Sequence, residues 1–71
     1  MMIKELQPHE QRVVNEKDEL KIKLDALVSF LQQSQPSFID DKNWQLLQEQ
    51  ADAMNHYYTI LVCRIDLFKG E

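Results

Sequence analysis

From residue 44 to residue 68 the apolar side chains recur at spacings of three and four without a miss: Trp44, Leu47, Ala51, Met54, Tyr58, Leu61, Ile65 and Phe68. Only an α-helix puts such a series on one face, and the run is far too long for a strand. A second series runs beside the first, through Leu46, Gln50, Ala53, Tyr57, Ile60, Arg64 and Leu67. At about 100° per residue the two lie roughly 110° apart, so apolar contact reaches further round this helix than a single stripe. The opposite face carries Gln45, Gln48, Glu49, Asp52, Asn55, His56, Thr59, Asp66 and Lys69, and belongs to solvent.

The chain before this helix is narrower in its apolar content. Ile3, Leu6, Val13, Leu20, Leu24, Leu27 and Leu31 form one seam, with Glu10 and Lys17 in two slots that should be apolar. Beside it runs a mostly polar strip of His9, Arg12, Glu16, Glu19 and Lys23, ending in Ala26 and Phe30. Pro36, in SQPSFIDD, is the main internal punctuation. It disfavours helical geometry in the residue before it, which predicts that the first helix ends near Ser34. Pro8 suits a first helical turn, where its missing N–H is not needed. Asp40 is placed to cap the second helix, Ile39 to pack on Trp44 as a hydrophobic staple, and Asp41 to favour the helix dipole. Nothing then interrupts the chain until Gly70. These signals predict an all-α fold: a single helical domain over 1–71, with a helix about 8–34, a turn 35–39 and an antiparallel helix about 40–68.

Seventy-one residues bury only about 60% of the surface their unfolded chain exposes, so such a domain is marginal unless something reinforces it. A single cysteine, Cys63, forms no intramolecular disulfide, and two histidines with one cysteine do not spell a zinc site. One free thiol fits a reducing cytosol. Self-association is the remaining way to enlarge the core. The first helix satisfies one face of the second, and the surplus face of Leu46, Ala53, Tyr57, Ile60 and Leu67 predicts a homo-oligomeric helix bundle, most simply a dimer of hairpins. A net charge of −4 argues against direct nucleic-acid binding, which needs a basic surface. No run approaches the roughly 20 apolar residues of a membrane span, and the start of the chain lacks the apolar core of a signal peptide.

An antiparallel hairpin brings Glu10, Arg12, Glu16 and Lys17 beside Tyr57, Tyr58 and Arg64. Two readings of this cluster stand. In one, Glu10 or Glu16 pairs with Arg64 in a partly buried bridge that fixes register and adds little net stability. In the other, Arg12, Glu16, Lys17, Tyr57 and Arg64 line a pocket for an anionic ligand, the arginine forks meeting phosphate or carboxylate oxygens while a tyrosine stacks on a base. Glu19 and Lys23 read as a helix-supporting pair four residues apart. His56 and Cys63, with Asp52, supply too few ligands for a tetrahedral metal site. No nucleophile or acid–base pair is in place for catalysis. The expectation is a non-enzymatic protein with no cofactor and no metal.

The runs HEQRVVNEKDELKIKLDALVSFL and LLQEQADAMNHYYTILVCRI, joined by a short turn bearing Pro and Phe, resemble a family of small bacteriophage helical-hairpin proteins related to a protein of crAss-like phages. The matching residues are Glu10, Arg12, Val13, Glu16, Glu19 and Leu20 in the first helix. In the second they are Leu47, Gln50, Met54, Tyr57, Leu61, Arg64 and Ile65. What the resemblance implies is a phage accessory protein acting in the host bacterial cytoplasm. It would be an oligomeric anti-defence protein that sequesters a cyclic nucleotide immune signal or binds a host defence protein. The alternative is a structural or assembly accessory for the phage with no ligand.

Overall fold

The computed structural model describes residues 6–68 and is built from two α-helices, α1 (Pro8–Leu31) and α2 (Asp41–Phe68), packed on each other as a hairpin. Ile3, Lys69 and Gly70, named above for the first seam, the solvent face and the helix stop, lie outside the described residues. Helix α1 opens where Pro8 stands in its first turn. The Gln7 N–H donates to Glu10 Oε1 at 2.9 Å, so Glu10 reaches back to the helix start. One of the two charges that interrupt the first seam is thus a capping group.

Helix α1 stops at Leu31, three residues before the expected Ser34. Its end tightens: the Gln32 N–H is shared between the Val28 and Ser29 carbonyls, and the Gln33 N–H donates to Phe30 O at 3.2 Å. Residues 32–40 are then used to reverse the chain. Gln35 holds that reversal together, its side-chain Nε2 donating to Ile39 O at 2.8 Å and to Asp41 Oδ1 at 3.0 Å. Helix α2 begins after Asp40, with Asp41 in its first turn. Asp40 Oδ1 accepts from the Asn43 N–H at 2.8 Å, satisfying a backbone donor that has no partner inside the helix.

The core is a single seam between the helices. Val13, Leu24, Ala51 and Leu61 are buried, and Leu61 is sealed from water altogether. The other members of both apolar seams are half-buried around them. At the turn end, Phe30 meets Trp44 edge-on with ring centroids 5.6 Å apart, which closes the seam where the chain reverses. The radius of gyration is 16.3 Å, against about 11 Å for a compact domain of this length. The hairpin is a rod whose helices cover each other on one side only. No helix among the described residues is long and apolar enough to cross a membrane.

The surplus face of α2 is where the sequence places it. Leu46, Tyr57, Ile60 and Leu67 are 47%, 40%, 42% and 79% exposed, and Ala53 is exposed with them. Their neighbours Leu47, Met54, Leu61 and Phe68, one position further on, are half-buried or buried. The boundary between covered and open apolar surface therefore runs lengthwise along α2.

Candidate functional site

Tyr57 and Tyr58 are adjacent in sequence and turn to opposite edges of the hairpin, as the 100° step of a helix requires. Tyr57 lies on the edge that carries the polar strip of α1, and its hydroxyl donates to a carboxylate oxygen of Glu16. That hydrogen bond raises the tyrosine's pKa above its ordinary 10.0; burial and the glutamate's charge push the same way, while Arg64 pulls against them. Arg64 is thus near enough for its field to act on the phenol. It stands two helical turns beyond Tyr57 on the same strip, and Arg12 stands one turn before Glu16 on the facing strip.

Between the two strips is an open groove of about 260 Å³, lined by Glu16, Glu19, Leu20, Lys23 and Tyr57. Its middle is acidic and aromatic. Lys23 marks one end, and the Arg12 and Arg64 positions lie toward the other. Neither arginine forms an ion pair with another described residue. The bridge expected between Arg64 and Glu10 or Glu16 is therefore not formed. Glu10 is engaged at the start of α1 and Glu16 at the Tyr57 hydroxyl, which leaves the guanidinium exposed.

Lys17 is placed elsewhere. Its ammonium pairs with Asp18 at 2.8 Å, and that hydrogen bond raises its pKa, with burial opposing and Tyr58 adding a smaller upward pull. It sits on the Tyr58 edge, together with Lys21, whose ammonium is 5.6 Å from the Tyr58 ring centroid. Lys21 also pairs with Asp25 at 3.1 Å. This is the ion pair four residues apart that α1 makes, whereas Glu19 and Lys23 both turn to the groove. The structure thus brings Glu16 and Tyr57 together with Arg64 near them, sets Arg12 on the same strip, and puts Lys17 on the far edge. Glu19, Leu20 and Lys23 were not singled out as site residues, although Glu19 and Lys23 share the polar strip with Glu16 and could have been found by extending it one turn. His56 and Cys63 are exposed, and no group of three potential metal ligands gathers among the described residues.

The family model described as Sequestin matches residues 7–67. The chain belongs to the Sequestin family. The match runs from the residue that precedes α1 to the penultimate residue of α2, so the unit that defines a Sequestin here is the whole hairpin with its turn. Both walls of the groove fall inside it. Comparison with curated proteins and with solved structures finds no match.

Proposed function

We propose that this Sequestin is a non-enzymatic, self-associating binding protein of bacteriophage origin. It would act in the host bacterial cytoplasm against host defence, by sequestering a nucleotide immune signal. The observation that carries this reading is the groove, whose chemistry suits a nucleotide part by part. Two carboxylates, Glu16 and Glu19, can accept from ribose hydroxyls or an exocyclic amine. The Tyr57 ring offers a face for a base. Arg12, Arg64 and Lys23 supply cations for phosphate at the ends, and among the described residues the two arginines have no competing ion pair. The family name, with its sense of holding something back, is consistent with capture. A host defence protein that engages the same strips is the other occupant this reading allows.

Sequestration needs affinity and stoichiometry, not turnover. The test is a thermal-shift screen of the wild-type protein with cyclic dinucleotides and cyclic ADP-ribose isomers, repeated with Arg64→Met. A specific rise in Tm that Arg64→Met abolishes, while the variant's own Tm is retained, is the expected result. No response to any nucleotide moves the reading to a protein partner. A Tm that drops in Arg64→Met without any ligand effect returns the arginine to a structural role.

A further inference from the structure

The open strip of α2 reads nearly the same in both directions. About Tyr57 its members are, outward on either side, a small or branched aliphatic residue, a polar residue and a leucine: Ala53 against Ile60, Gln50 against Arg64, Leu46 against Leu67. All are exposed in the hairpin. Counted from Tyr57, the paired members stand 4 and 3, 7 and 7, and 11 and 10 residues away, so reversing the strip matches its layers to within one residue, about 1.5 Å of helical rise. A strip with this property is complementary to itself when two copies lie antiparallel, which is what a two-fold axis across a shared helix face produces.

We propose that the second copy docks α2 against α2 in antiparallel orientation, with the two-fold axis passing at Tyr57. This rests on the self-association in the reading above and adds its face, direction and register. In this register Leu46 meets Leu67 of the partner subunit at each end. Ala53 leaves room for Ile60 of the partner subunit. Arg64 of the partner subunit comes level with the neutral Gln50, so no like charge opposes it. A parallel pairing leaves the leucine and tyrosine layers alike but is worse elsewhere: Arg64 meets Arg64, Ala53 meets Ala53 across a void, and the two helix dipoles align. The axis also explains the groove's size. At about 260 Å³ and open on one side, it is smaller than the ~300–1,000 Å³ of a usual small-molecule site. With Tyr57 on the axis, the two Glu16–Tyr57 pairs lie next to each other, and each half-groove is continued by the other copy.

Cysteine cross-linking tests the register without any ligand. In a Cys63→Ser background, Leu46→Cys and Leu67→Cys are made singly and together. The two positions are 21 residues apart on one helix, about 31 Å, well beyond disulfide reach within a chain. The antiparallel register predicts that the double variant, once oxidised, runs at dimer mass under denaturing non-reducing conditions, while both single variants run at monomer mass. Cross-linking of the single variants as well overturns it in favour of a parallel pairing. Absence of a cross-link in the double variant, in a Cys63→Ser protein that light scattering shows to be dimeric, overturns this face or register and leaves self-association standing. A monomeric Cys63→Ser protein, if the wild type is also monomeric, removes self-association itself.

Discussion

The hydroxyl of Tyr57 and the carboxylate of Glu16 tie the two helices together at the groove, and their contact has a pH signature. Because the folded-state pKa of Tyr57 is raised, the interaction stabilises the hairpin fully below the ordinary value of 10.0 and is lost as pH climbs through the raised one. In a Tyr58→Phe background, phenolate absorbance should therefore rise later in the native protein than in the unfolded chain, and Glu16→Ala should bring it back toward 10.0. Superimposable titrations with and without the glutamate would remove the contact. The sequence placed Glu10 and Glu16 beside Tyr57 and Arg64, but paired one of the two glutamates with Arg64 and not with the tyrosine. It did not say which of them would be free to reach across, because both lie on the right end of α1. What separates them is that Glu10 is drawn back to the Gln7 N–H, a competition between a local and a long-range partner that spacing alone does not resolve.

Among the elements, α2 is the one whose limits follow most directly from its residues. Asp40 gives its start, and the unbroken seam from Trp44 gives its course. Replacing Asp40 with Ala should cost about 1 kcal/mol, the usual value of a lost N-cap, seen as a lower midpoint in urea with an unchanged slope. A midpoint equal to wild type would mean that Gln35, which also contacts Asp41, holds the helix start by itself. The end of α1 was less legible. Pro36 restricts only Gln35 directly, yet the helix closes at Leu31. The reversal needs the intervening residues so that Phe30 can meet Trp44. That is a tertiary requirement, and no residue in QQS announces it. The same holds for the choice between two ion pairs on α1. Glu19–Lys23 and Lys21–Asp25 have identical spacing, yet the second forms while Glu19 and Lys23 line the groove.

At the scale of the whole molecule, the deciding quantity is the imbalance between the faces of α2. Four buried residues make up the interior among the described residues, and a core of a domain this small rarely supplies more than about 3–5 kcal/mol. Meanwhile Leu46, Ala53, Tyr57, Ile60 and Leu67 stand open along the full length of the same helix. Burying that strip against a copy of itself would add apolar contact where the hairpin has least, and would place the Glu16–Tyr57 groove at the junction of two chains. Binding and assembly would then be one property, since a ligand spanning the axis would favour the associated state. The measurement that bears on this most directly is the mass of the wild-type protein by size-exclusion chromatography with light scattering at micromolar concentration, beside Ile60→Glu. Twice the chain mass for the wild type, reduced to one chain by a charge at Ile60, is the predicted result. A stable wild-type monomer, with the Tyr57–Ile60–Leu67 flank left in water, would contradict it.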